Sequence, residues 1–252
     1  MASSILKKLI LIFTPTLFLV IGLGMSVIPA DQFIETGSIV AVVVISLPAF
    51  FGLCKIYGKR GLFAVLVLGL LALTIETIGI HTGFPYSSFE YMMEFGYRLF
   101  GTTPWTVYLA WSPLVIGSFL LSQVWFKQKW SRLLAYLGIL VGTDVILDPG
   151  AVARGLWQYS DGGVWFGVPL QNFAGWIFSG FIAYLLLTLM LKKANNINLE
   201  YVWLGSLSLI VSIFLWAGVN IGYELWLPAI MGIILGLILL VGIFDLYKKR
   251  SE

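Results

Sequence analysis

The sequence predicts an all-α fold: a polytopic membrane helical bundle of about eight transmembrane helices, with both termini cytoplasmic. Three observations carry this. First, of 252 residues 60% are hydrophobic and 11% charged, against roughly 25% charged in an ordinary soluble domain, and the mean hydropathy is +0.97. A soluble fold built from this chain would lack polar surface. Second, the apolar residues gather into eight runs near the roughly 20 residues a helix needs to cross a bilayer. Third, the basic residues fall in alternate connections. Together these exclude a soluble globular enzyme, a disordered chain and a nucleic-acid binder with a basic face. Residues 1–252 read as one transmembrane domain.

The first run, 9–29, follows Lys7 and Lys8. It has the charge and apolarity of a signal sequence but is longer than a usual signal core, and no small-x-small site follows, so a retained helix is expected. The second, 34–54, ends at Cys54, the single cysteine, which excludes an internal disulfide; packing is its expected role. Lys55, Lys59 and Arg60 precede the third, 62–80, and a long loop, 81–103, follows it. The fourth, 104–124, gives way to Lys127, Lys129 and Arg132. The fifth, 132–148, is short and stops at Asp148-Pro149, before a second long loop, 149–170. The sixth, 171–191, leads into Lys192 and Lys193. The seventh and eighth, 200–220 and 225–244, precede Lys248, Lys249 and Arg250. Pro228 falls in the first turn of the eighth, where a helix tolerates it. Runs such as Ala64–Leu68 and Ile233–Leu235 lack the alternation of a membrane barrel.

Of the 15 basic residues, all but Arg98 and Arg154 fall on one side of this alternation, which the positive-inside rule makes cytoplasmic. The same asymmetry accounts for the net charge of +3 without a nucleic-acid partner. Trp125, Trp130 and Tyr247 are expected in the interfacial aromatic belt. The Gly138–Gly142 and Gly232–Gly236 spacings predict close helix contacts. Gly83-Phe84-Pro85 and Gly167-Val168-Pro169 give the two long loops a parallel step, a hint of an internal repeat.

Both long loops lie on the side opposite the bases, and long loops in a compact protein are usually functional. Three acids gather at the same edge. Counting from the cytoplasmic end, Glu76 is about 21 Å up the third helix, Asp144 about 18 Å and Asp148 about 24 Å up the fifth. Ionisable residues inside a membrane are expensive and face the bundle or a wet cavity. Asp144 and Asp148 are four residues apart and share a helix face. Two carboxylates that close do not both ionise readily, so one proton beside one charged carboxylate is expected, an arrangement suited to acid/base chemistry.

Structural roles compete with this reading. Asp148 could end its helix before Pro149. Asp144 could hydrogen-bond between helices or pair with Arg154, and Glu76 could pair with His81. His81 could cap a helix end, and Asn172 could cap the sixth helix. One histidine excludes a His-rich metal site, and no metal or organic cofactor is expected. A transporter or proton-coupled carrier would suit intramembrane acids. Against it, the inner halves of the third and fifth helices, Leu62–Leu71 and Leu133–Val141, hold only Tyr136 as a polar side chain. Another isoprenoid-modifying membrane enzyme of the prenyltransferase type would use two aspartate-rich motifs to hold magnesium and diphosphate, and one is present. A non-catalytic scaffold remains open.

A set of short motifs spans about residues 70–180: Glu76; Gly83-Phe84-Pro85-Tyr86; Phe89-Glu90-Tyr91; Trp111-Ser112-Pro113; Asp144 through Asp148-Pro149; Gly155-Leu156-Trp157; and Gly167 through Asn172 to Gly175-Trp176. In order and spacing it resembles the membrane carotenoid-biosynthesis hydratases, the bisanhydrobacterioruberin and gamma-carotene hydratase family. The resemblance implies a multi-pass protein of the cell membrane that adds water to a terminal isoprenoid double bond of an acyclic or partly cyclised carotenoid, giving a tertiary alcohol. It implies a lipid-borne carotenoid and water as ligands, and other carotenoid-biosynthesis enzymes as partners. Asp144 is then the expected proton donor, Asp148 the base that orients water, and Glu76 a residue sharing one of these roles. Substrate-binding candidates are His81, Tyr86, Tyr91, Trp111, Trp157, Asn172 and Trp176.

Overall fold

Each apolar run becomes a helix in the computed structural model, which describes residues 2–28, 32–93, 95–191 and 197–251. The helices are α1 (Ala2–Val27), α2 (Gln32–Tyr57), α3 (Lys59–Thr82), α4 (Val107–Trp125), α5 (Lys129–Ala153), α6 (Leu170–Met190), α7 (Leu199–Gly222) and α8 (Trp226–Ser251). Four short strands lie in the long loops: β1 (Phe89–Tyr91), β2 (Arg98–Leu99), β3 (Thr103–Pro104) and β4 (Trp157–Tyr159). Glu94, Lys192 and Lys193 lie outside the described residues, as do the side chains of Lys7, Lys8, Tyr247, Lys249 and Arg250. Seven helices carry apolar segments of 19 to 25 residues, long enough to cross a bilayer. In α1 the described apolar part is Phe13–Val27.

α7 is the central post, packed against α1, α2, α4, α5 and α8. Small residues allow the close approach. A Cβ on Gly52 of α2 would lie 2.5 Å from the backbone of Gly205 on α7, and one on Gly232 of α8 would lie 2.9 Å from the Ala217 Cβ. Gly236 faces the Phe214 ring in the same seam. The expectation for the other spacing is corrected: Gly138 has nothing within 4 Å of where a Cβ would sit, and Gly142 meets only a Leu235 methyl at 3.4 Å. Cys54 packs against the core. Trp130 is 76% exposed, as a belt residue would be. Trp125 is instead a helix contact over Gly242 of α8.

The fifth helix is longer than its apolar run. It does not stop at Asp148 but passes through Pro149 to Ala153. Proline has no N–H and its ring crowds the carbonyl four residues back. That carbonyl belongs to Val145, and the Trp165 indole N–H donates to it at 3.0 Å. The next carbonyl, of Ile146, accepts from Asn220 Nδ2 of α7 at 2.8 Å. The backbone groups loosened by the proline are thus taken by side chains, as burial requires. Asp148 becomes an intrahelical residue, 3% exposed.

Ring contacts fix the register of α4, α5 and α6. Tyr184 of α6 meets Phe119 of α4 at 5.9 Å and Tyr136 of α5 at 5.2 Å. Eight residues towards the loops, Trp111 of α4 meets Trp176 of α6 at 6.4 Å. α4 and α6 therefore run parallel. Asn172 of α6 bonds to Asp144 and Asp148, so α5 runs against them. Asp144 consequently stands at the level of Trp111 and Trp176.

The two long loops fold onto each other. β1 and β4 pair antiparallel, with Phe89 opposite Tyr159, Glu90 opposite Gln158 and Tyr91 opposite Trp157. Bonds from Ser160 N to Ser88 O and from Met92 N to Leu156 O extend the ribbon. Glu90 and Gln158 are exposed, and the alternating aromatics Phe89, Tyr91, Trp157 and Tyr159 share the other face. The parallel Gly-x-Pro steps do different work. Gly83 closes α3 in the left-handed conformation, φ 73°, and precedes a cis Phe84-Pro85 bond. Gly167, φ 87°, leads to Pro169 at the start of α6.

Candidate active site

The acids occupy the loop-proximal ends of α3 and α5, and the ribbon brings one tyrosine to each helix. Tyr91 OH donates to Glu76 Oε1 at 2.5 Å. Tyr159 OH donates to Asp148 Oδ2 at 2.8 Å. Asn172, in the first turn of α6, spreads its amide across the aspartates: Nδ2 is 2.9 Å from Asp144 Oδ2 and 2.6 Å from Asp148 Oδ2. An amide nitrogen has two hydrogens, so one donates to each carboxyl. Asp148 Oδ2 thus accepts two bonds. The other oxygen of Asp144, Oδ1, is buried without a partner among the described residues.

Tyr86 is wedged between α3 and α6. A Cβ on Gly79 would come 3.1 Å from its ring, and one on Gly175 would come 2.6 Å from it. Glycine at both places lets the ring into the gap. Burial pushes the Tyr86 phenol well up from its ordinary range, with a further upward push from Glu76, a partial offset from the Ser179 hydroxyl, and smaller upward pushes from Asp144 and Asp148. Burial likewise raises Tyr91, followed by the Glu76 charge, and raises Tyr159, followed by the Asp148 and Asp144 charges. All three phenols therefore stay protonated; Tyr91 and Tyr159 donate to carboxyls, while the side-chain partner within reach of Tyr86 is Ser179. Among the described residues, no group of three or more His, Cys, Asp or Glu side chains is placed to hold a metal ion.

Residues 34–239 match a family model described as carotenoid biosynthesis protein. The chain belongs to this family. It is also similar to the bisanhydrobacterioruberin hydratase of Haloarcula japonica, 34% identical over 198 residues, covering 77% of this chain and 67% of that protein. No solved structure matches it. With seven helices able to cross a bilayer, this family member is a multi-pass membrane protein.

The fold joins most of the candidates predicted from sequence. Glu76, Tyr91, Asp144, Asp148 and Asn172 are linked by the bonds above, and Tyr86 lies among the acids. Trp157 packs edge-on against Tyr91 at 6.0 Å. Trp111 and Trp176 stand at the level of Asp144. His81 is exposed; its Nε2 lies 3.3 Å from Thr102 Oγ1, which leads to the β2–β3 hairpin rather than to Glu76. Arg154 does not pair with Asp144: its Nη1 donates to the carbonyls of Met25 and Ile28 at the end of α1. Asn172 bridges acids, while Pro169 occupies the capping position of α6.

The sequence places Tyr159 and Trp165 with Trp157 and Trp176 among the aromatics of the acid-rich side, as candidates to line a site, but gives neither a partner; strand pairing selects Tyr159 for Asp148. Asn220 was not singled out; it and Trp165 act on the backbone beside Pro149. A proline inside a span, next to an acid, is the signal that asks for such partners.

Proposed function

We propose that this protein is a carotenoid hydratase, adding water to a terminal isoprenoid double bond of an acyclic or partly cyclised carotenoid. The observation that carries the reading is the single Asn172 amide shared by two buried carboxyls, one doubly bonded and one with a free oxygen. Family membership and the name of the Haloarcula japonica relative support the substrate class.

In this reading Asp144 is the acid. Its Oδ2 accepts from Asn172, which stabilises the carboxylate left behind, and Oδ1 carries the proton towards the alkene. The proton adds to the less substituted carbon and leaves a tertiary cation. Water adds to that cation and loses its proton to Asp148, whose charge is held by Tyr159 and Asn172. A proton passing from Asp148 to Asp144, neighbours on one face, resets the pair. The sum is one alkene and one water giving one tertiary alcohol, with no change of redox state. The faces of Tyr91 and Trp157 can stabilise the cation. An insoluble polyene reaches such a site from the bilayer, and water reaches it from the loop side.

The test is chromatography with mass spectrometry on pigments from cells making an acyclic or half-cyclised carotenoid, with and without the protein. A species heavier by one water is expected, and Asp144→Asn should reduce it by roughly 100-fold or more. An unchanged pigment profile, with the protein verified in the membrane, overturns the hydratase reading. Full activity in Asp144→Asn overturns the assignment of the acid.

A further inference from the structure

Three helices surround the Asp144 level, and each contributes a buried oxygen that makes no hydrogen bond among the described residues. These are Asp144 Oδ1 on α5, Ser112 Oγ on α4 and Ser179 Oγ on α6. All three residues are fully buried. Sequence spacing aims them inwards. Ser179 is seven residues from Asn172, two helical turns, and so shares the face that clamps the aspartates; Gly175, on the same face, holds the Tyr86 ring. Ser179 is also within side-chain hydrogen-bonding reach of the Tyr86 phenol, a contact that leaves part of the hydroxyl's bonding capacity unused. Ser112 is seven residues from Phe119, which points at Tyr184 in the α4–α5–α6 seam. It is adjacent to Trp111, whose indole N–H is a fourth buried group without a partner among the described residues.

Buried polar groups are almost always paired, with protein or with bound water. Unsatisfied groups from three helices, with Trp111, Ser112 and Asp144 near one level and Ser179 about 4.5 Å deeper, describe a polar recess in an otherwise apolar bundle. Serine hydroxyls both donate and accept, the indole only donates, and a carboxylic acid O–H donates. Water is the ligand that can serve all of these at once.

We propose that Ser112 and Ser179 are positioning residues for the water that attacks the carbocation, holding it next to Asp144 while Asp148 waits to take its proton. This rests on the hydratase reading and deepens it. The chemistry supplies a readout that a merely structural role would not move. Once Asp144 has protonated the alkene, the tertiary cation has two fates. Water capture gives the alcohol. Loss of a proton to the carboxylate returns an alkene, and in D2O the recovered carotenoid then carries deuterium. A misplaced water lowers the first outcome and leaves the second.

The experiment incubates membranes containing the full-length protein with an acyclic carotenoid in D2O and measures alcohol and deuterated recovered carotenoid together. Ser112→Ala and Ser179→Ala should each lower the alcohol-to-label ratio about tenfold, the value of roughly one hydrogen bond, with label still incorporated. Retained label also shows that the variant is folded and that Asp144 still delivers protons. Ser118→Ala, also buried on α4 but six residues deeper, should leave the ratio unchanged. The proposal is overturned if alcohol and label fall in parallel in both variants, if neither variant changes the ratio, or if Ser118→Ala changes it equally. If the unaltered protein yields neither alcohol nor label, the hydratase reading itself fails.

Discussion

Asp148 keeps two donors on one oxygen, and the two differ in what they can be exchanged for. Tyr159 is 2.8 Å away and touches that carboxyl alone. Tyr159→Phe keeps the ring on the ribbon and removes one charge-assisted bond, worth about 1.5–3 kcal/mol. Hydration should fall roughly 10- to 100-fold, with unchanged protein level, in initial-rate assays on membranes. Because burial and the neighbouring carboxylates hold the phenol well above its ordinary range, it is protonated, and donating, on the low side of that raised value. The defect should therefore be equal at pH 6 and pH 9; a defect that vanished at pH 9 would mean the phenol ionises there. Asn172 serves both aspartates, so Asn172→Leu should be the more damaging change, on the order of 100- to 1,000-fold. Most of these residues were legible in the sequence, because an acid in an apolar span is costly enough to announce itself. The bond of Tyr159 to Asp148 was not, because it depends on a register between strands 70 residues apart in the chain, Phe89 opposite Tyr159.

At the scale of the element, α5 departs furthest from expectation. Local rules end a helix before Asp148-Pro149, since proline disfavours helical backbone at the preceding residue. The helix continues because Trp165 and Asn220 satisfy the carbonyls of Val145 and Ile146. Neither partner is local, so no window of sequence around residue 149 reveals the continuation. The spans themselves were legible, because twenty apolar residues are their own signal. The coupling of Trp165 to Pro149 can be tested. Trp165→Phe leaves the Val145 carbonyl unpaired and should lower the apparent melting midpoint in detergent, reflecting about 1–3 kcal/mol. In a Pro149→Ala background the helix regains its own N–H for that carbonyl, and Trp165→Phe should then have little effect. Equal shifts in the two backgrounds would show that the indole bond and the proline are independent.

For the molecule as a whole, the arrangement of charge and acid predicts how it sits in the membrane. In the sequence the bases cluster in the connections opposite the long loops, and Glu76, Asp144 and Asp148 gather beneath the loops. The positive-inside rule then predicts that the acid-bearing edge, with its β1–β4 ribbon, lies on the outer face and both termini in the cytoplasm. The consequence is chemical as well as topological: the terminal double bond would be hydrated in the outer leaflet, where the ribbon meets external water. One cysteine makes the test direct. In a Cys54→Ser background, Asp161→Cys places a thiol in the exposed second loop, and Lys127→Cys places one in the exposed α4–α5 connection. A membrane-impermeant maleimide applied to intact cells should label the first and not the second, and lysis should open the second to labelling. The reverse pattern would put the acids on the cytoplasmic face and would require water and the tertiary alcohol to be handled at the inner leaflet.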